Sequence, residues 1–157
     1  MRTPVILVGV DGSTESRAAL RWAMEEAAHR GARVEAMLAH HREPAIVPAA
    51  PMGLNPYGEM PQRHPAHELH EAVRQVRATV LHAPDVAECV VVGDAAVQLA
   101  EASKHAALLV IGTRGRGAVR EFLSHGVAAN CLRHAECPVV VIPPTASHWR
   151  RVREVTA

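Results

Sequence analysis

The run Val5-Ile6-Leu7-Val8-Gly9-Val10 carries no polar side chain and then breaks at once into Asp11-Gly12-Ser13. A strand without a polar face must be buried on both sides, which is the condition of a central strand in a parallel sheet. The unit recurs. Val34 to His40 and Val86 to Val92, mainly apolar but holding Glu35 and Glu88, are further strand-sized runs, and Leu108 to Ile111 and Val139 to Ile142 are wholly apolar. Helical patterns separate them. The first, from Thr14 to Arg30, places Ala19, Leu20, Ala23, Met24 and Ala27 on one stripe, with Ser13 as N-cap and Gly31 as its stop. Others are expected over 67–82, over 95–105 behind Asp94, and over 126–134. Strand–helix alternation predicts one α/β domain over 1–144: an open, mostly parallel five-stranded sheet with helices on both faces. Residues 145–157 read as a polar tail. Pro44, Pro48, Pro51, Pro56, Pro61 and Pro65, with Gly53 and Gly58, mark 42–66 as a long loop.

Composition removes several classes of partner. The formal net charge is +1, which gives no general attraction to nucleic acid or to an anionic membrane. Trp22, Tyr57, Phe122 and Trp149 are scattered and form no base-stacking platform. No apolar run approaches the roughly 20 residues of a membrane helix. The opening segment has too short an apolar run for a signal peptide and no small-residue cleavage site. Cys89, Cys131 and Cys137 are odd in number and lack C-x-x-C spacing. They read as small buried residues in a reducing, cytoplasmic compartment.

In an open parallel sheet, ligands bind beyond the carboxyl ends of the strands. Two turns stand at such ends: Asp11-Gly12-Ser13 after the first strand, and Gly112-Thr113-Arg114-Gly115-Arg116-Gly117 after the fourth. Three glycines in six residues let successive N–H groups turn inward as an anion nest, and two arginines add charge. The bland alternative is a tight turn with solvated arginines. Asp11 has the same two readings, ligand contact or turn former. G-x-x-x-x-G-K-[ST] does not occur, and Arg120 stands where a third Rossmann glycine should be.

Taken together, Val8-Gly9-Val10-Asp11-Gly12-Ser13, Val92-Gly93-Asp94 and the stretch from Leu108 to Pro143 resemble the universal stress protein family, with its G-x2-G-x9-G-[ST] motif and terminal Cys-Pro-led strand. The resemblance implies an adenine nucleotide alpha hydrolase-like fold and ATP held between the two turns. It would set Gly9, Val10 and Asp11 against adenosine and bring Ala39 or His40 to the adenine edge. Gly112, Arg114 and Gly115 would wrap the phosphates, with Mg admissible beside them. It also implies a homodimer through Val139, Val140, Val141 and Ile142, since an uncovered apolar edge strand is an aggregation hazard.

The chain departs from that motif at its far end. After the nine residues 116–124 come His125 and Gly126, ahead of Val127, where the motif wants Gly and then Ser or Thr. The spacing from His125 to Cys137-Pro138 fits the family without a gap, so the change is a substitution. A hydroxyl lost from a charged hydrogen bond is worth about 1.5–3 kcal/mol, or about 10- to 150-fold in affinity. His125 either blocks the phosphate position or, protonated, binds it. The expectation is a cytoplasmic stress-response sensor or regulator, not an enzyme, whose ATP binding is weakened and pH-sensitive. The alternative is a member that has lost nucleotide and acts through protein contacts. An adenylyl-transferring enzyme would need S-G-G-x-D-S or H-x-G-H where Asp11-Gly12-Ser13-Thr14-Glu15-Ser16 stands. His64, His67 and His70 are spaced by three and read as solvated surface histidines, with Pro65 making the first helical turn there irregular.

Overall fold

The structure, a computed structural model, describes residues 2–41, 64–113 and 126–143. Most of the 42–66 loop, the residues Arg114 to Gly117, His125 and the 145–157 tail lie outside the described residues. The elements alternate as expected: β1 (Val5–Gly9), α1 (Thr14–Arg30), β2 (Arg33–His40), α2 (Pro65–Arg77), β3 (Val86–Val92), α3 (Ala95–Ser103), β4 (Leu108–Gly112), α4 (Val127–His134) and β5 (Val139–Ile142). The strands form one sheet in the order β3-β2-β1-β4-β5, and every pairing is parallel.

Binary patterning accounts for the layers. Along β1, Ile6 and Val8 point to one face, where α1 and α2 supply Leu20, Met24, Leu69 and Val73. Leu7 points to the other, where it meets Leu99 of α3 and Ala128 and Cys131 of α4. Sheet residues from Ile6 to Val8 are at most 1% exposed, so the first run is buried on both sides as its composition demands. The helix ends obey their caps. The Ser13 hydroxyl accepts the Ser16 N–H at 3.1 Å, and the Asp94 carboxylate accepts the Val97 N–H at 3.0 Å. Gly31 closes α1 at φ 62°, a left-handed conformation suited to glycine.

The second helix corrects the sequence reading. It begins at Pro65 and ends at Arg77, not over 67–82. Pro65 occupies the first helical turn, where its missing N–H costs nothing and its fixed φ favours the helix. The turn is regular, and the loop therefore ends before Pro65. His64 caps it through Nδ1, which accepts the Ala66 N–H at 3.3 Å.

Cys131 is wholly buried against the sheet, and burial, with a smaller contribution from the Asp94 charge, pushes its thiol up to about 11 from an ordinary value of 9.0. Between those values the folded chain holds a proton that the unfolded chain has released, so raising the pH favours unfolding. This contribution is complete below pH 9 and lost by pH 11. The expected result is a urea midpoint that falls across this window more steeply in the native chain than in Cys131→Ala. Equal slopes would assign the decline to other groups.

Candidate functional site

Strand order creates one switch point. The chain steps outward from β1 to β2 and β3, then returns to the other side of β1 with β4. After β1 it leaves toward the face covered by α1, and after β4 it reaches α4 on the opposite face. A crevice therefore opens between the carboxyl ends of β1 and β4. Val8 pairs with Val110, and two residues further along the strands stand Val10 and Gly112. The Asp11-Gly12-Ser13 turn and Gly112, with which the second sequence turn begins, thus flank one crevice.

The β1 turn is tightly hydrogen-bonded. The Asp11 carboxylate oxygen Oδ1 accepts the Ser13 N–H at 3.0 Å and also the Ser13 hydroxyl. Gly12 takes φ 79° between them. Asp11 is therefore a turn former in fact, and it is exposed at the crevice mouth while filling that role. Val10 contributes backbone only: its side chain is 4% exposed in the α1-facing core, and its N–H bonds the Met37 carbonyl at 2.8 Å. Gly9 is a packing glycine. A methyl group there would meet Leu99 Cδ1 at 3.0 Å. His40 is half-buried at the end of β2, and its carbonyl accepts the Gly93 N–H at 3.0 Å.

The β4 side begins with a closer contact. A methyl group on Gly112 would stand 2.5 Å from the Glu15 carbonyl oxygen and 3.0 Å from the Ser16 nitrogen. Gly112 is thus pressed against the first turn of α1. Thr113 ties the end of β4 to β5, donating its N–H to the Ile142 carbonyl at 3.0 Å and its hydroxyl to the same oxygen at 3.3 Å. Arg114, Gly115 and His125 lie outside the described residues. Gly126 is the N-cap of α4 at φ 101°, ψ −174°, with no side-chain cap. No described atom lies within 4 Å of where its Cβ would be. Val127 opens the helix and is 42% exposed. Positive φ at this end of the motif falls, among the described residues, on Gly126.

Ser16 and Thr113 carry no motif that marks them in the sequence. Ser16 is 5% exposed; its hydroxyl donates to the Ser13 carbonyl at 3.0 Å and accepts the Asp11 N–H at 3.3 Å. Its position three residues after the N-cap Ser13 was the available signal, since side chains there commonly reach back over the helix start. The histidines do not converge: His70 is exposed and faces Glu88 at 3.1 Å. Among the described residues, no group of three or more His, Cys, Asp or Glu side chains could hold a metal ion. No helix among them is long and apolar enough to cross a membrane.

Comparison with known proteins gives one consistent result. Residues 3–143 match the sequence profile of the universal stress protein family. The universal stress protein Rv2623 of Mycobacterium tuberculosis is 34% identical over 140 residues, which are 87% of this chain and 46% of that protein. Rv3134c of the same organism is 32% identical over 152 residues, 97% of this chain and 53% of its own length. The chain spans about half the length of these curated relatives. Among solved structures, a universal stress protein in complex with cAMP superposes with a TM-score of 0.64 at 27% identity, covering 90% of this chain and 98% of its own. The universal stress protein UspA from Lactobacillus plantarum shares the fold, with a TM-score of 0.63 at 23% identity over 90% and 99% of the two chains.

Proposed function

The chain belongs to the universal stress protein family, and on that premise we propose that its β1/β4 crevice binds ATP or a related adenine nucleotide and that the protein acts as a cytoplasmic stress-response sensor or regulator rather than as an enzyme. The observation that carries this reading is the meeting of the Asp11 turn and the Gly112 end at a single switch point. The cAMP complex of a structural relative at 27% identity supports an adenine ligand. Adenosine would lie on the β1 and β2 side, against Asp11, the backbone of Gly9 and Val10, and His40. The phosphates would lie toward Gly112, Arg114, Gly115, His125, Gly126 and Val127. Magnesium, if it accompanies ATP, would be held mainly by phosphate oxygens, because the described residues offer it no cluster of carboxylates. Three free thiols suit a reducing compartment.

Titration calorimetry with ATP, AMP and cAMP at pH 6 and pH 8 tests this. Binding is expected, with ATP tighter at pH 6, where His125 gains charge. Absence of heat at millimolar nucleotide at both pH values would overturn it. That result would favour the second reading, a member acting through protein contacts, for which the bare N-cap at Gly126 is the supporting observation.

A homodimer through Val139, Val140, Val141 and Ile142 belongs to the same proposal. Strand β5 stands at the edge of the sheet, and its three valines are only half-buried. In relatives about twice this length, one chain has room for two such units. Light scattering at micromolar concentration is expected to give the mass of a twofold dimer. A monomer would remove that part of the reading.

A further inference from the structure

We infer that Ser16 is a positioning residue of the crevice: it sets the turn that carries Asp11 and joins that turn to the end of β4, without touching ligand itself. The inference rests on the reading of the crevice as a nucleotide site. Capping alone does not account for Ser16, because Ser13 already caps α1. The Ser16 hydroxyl instead points back across the turn. It accepts the Asp11 N–H at 3.3 Å and donates to the Ser13 carbonyl at 3.0 Å. The Ser16 N–H donates to the Ser13 hydroxyl at 3.1 Å, and Ser13 in turn donates its N–H to Asp11 Oδ1 at 3.0 Å. Ser16 therefore reaches Asp11 by two routes, its hydroxyl to the Asp11 backbone and its own backbone N–H through Ser13 to the carboxylate, and only the first depends on the serine side chain.

The same residue touches the opposite wall. The Glu15–Ser16 peptide is what a methyl group on Gly112 would strike. At 5% exposure the Ser16 side chain is too enclosed to meet a nucleotide, but the residue lies between the Asp11 turn and Gly112 at the end of β4. Gly12, at φ 79° with no side chain, adds no packing of its own, so these bonds help to fix the shape of the Asp11 turn. The bond from the Asp11 N–H to the Ser16 hydroxyl is long, at 3.3 Å, and only part-buried, so removing the hydroxyl takes away one weak bond. Stability then changes little, while the turn must be ordered anew each time a ligand binds. Ordering one residue's backbone corresponds to a loss on the order of 5- to 30-fold in affinity.

The test is calorimetric titration of AMP into the native chain, Ser16→Ala, Asp11→Ala and the double variant, with urea midpoints for each. Ser103→Ala is the control. Ser103 is another buried serine; its hydroxyl donates to the Ala100 carbonyl at 2.6 Å and accepts the Glu136 N–H at 2.9 Å at the far end of α3. Ser16→Ala is expected to weaken AMP 5- to 30-fold with a near-native midpoint, and to weaken it much less in the Asp11→Ala background. Ser103→Ala is expected to bind AMP as the native chain does. Native affinity in Ser16→Ala beside a weakened Asp11→Ala overturns the positioning role and leaves the nucleotide reading intact. Losses that simply add overturn it in the same way. A native chain that binds none of AMP, cAMP or ATP overturns both. Should Ser16→Ala unfold without cooperativity, Ser16→Cys, close in size and a weak hydrogen-bonder, is read by the same criteria.

Discussion

Gly112→Ala is expected to destabilise the fold by about 1–3 kcal/mol, the usual range for forcing extra volume into a packed site, and to weaken nucleotide binding with it. The neighbours of the new methyl group would be backbone atoms: Glu15 O at 2.5 Å, Glu15 C at 2.6 Å and Ser16 N at 3.0 Å. Backbone cannot rotate aside, so either β4 or the first turn of α1 must move. Both define the crevice. Gly9→Ala is the informative comparison. Its nearest neighbour would be Leu99 Cδ1 at 3.0 Å, the end of a side chain that can shift by a few tenths of an ångström. The urea midpoint of Gly112→Ala should therefore fall well below that of Gly9→Ala. Equal midpoints would show that α1 yields easily, and that Gly112 does not set the width of the crevice.

Gly126→Ser is the second large effect, and its sign runs against the family motif. Replacing Gly126 with serine restores the motif's hydroxyl and, at an ordinary N-cap, would add about 1 kcal/mol. That gain requires an N-cap in the extended region with negative φ. Gly126 stands at φ 101°, ψ −174°, a conformation essentially restricted to glycine and costing about 1–3 kcal/mol for other residues. The obstacle among the described residues is conformation, since none of them beyond its chain neighbours comes within 4 Å of the new Cβ. With the capping gain forfeited at this φ, the expected outcome is a lower urea midpoint, by about 1–3 kcal/mol, with no tightening of ATP in calorimetry. A variant that is more stable and binds ATP more tightly would show that the backbone at 126 relaxes readily and that only the hydroxyl was missing.

Most of the fold was legible because burial imposes different periods on strands and helices. Ile6, Leu7 and Val8 lie in a row, and only a strand covered on both faces can bury all three. Ser13, Gly31 and Asp94 marked helix ends through local chemistry that needs no partner elsewhere. The start of α2 is not legible from Pro65 as a breaker, because the first turn of a helix accepts proline. At the candidate site, the strand ends that carry the Asp11 turn and Gly112 are legible in the sequence, but the pattern points Gly112 to phosphate alone. Its tight contact with Glu15 joins residues almost a hundred positions apart, and no local pattern reports such an approach.

The sequence by itself determined that this is a parallel α/β domain of the universal stress protein family, with polar and glycine turns at two strand ends and an altered motif at His125 and Gly126. These are properties of composition, spacing and local conformation. Only the tertiary structure decided that Ser16, unremarkable in the chain, sits beneath both walls of the crevice, and that the left-handed backbone falls on Gly126. Both follow from how β4 and α4 are set against the start of α1 and the sheet. Packing between distant segments selects one arrangement from many that the local sequence permits.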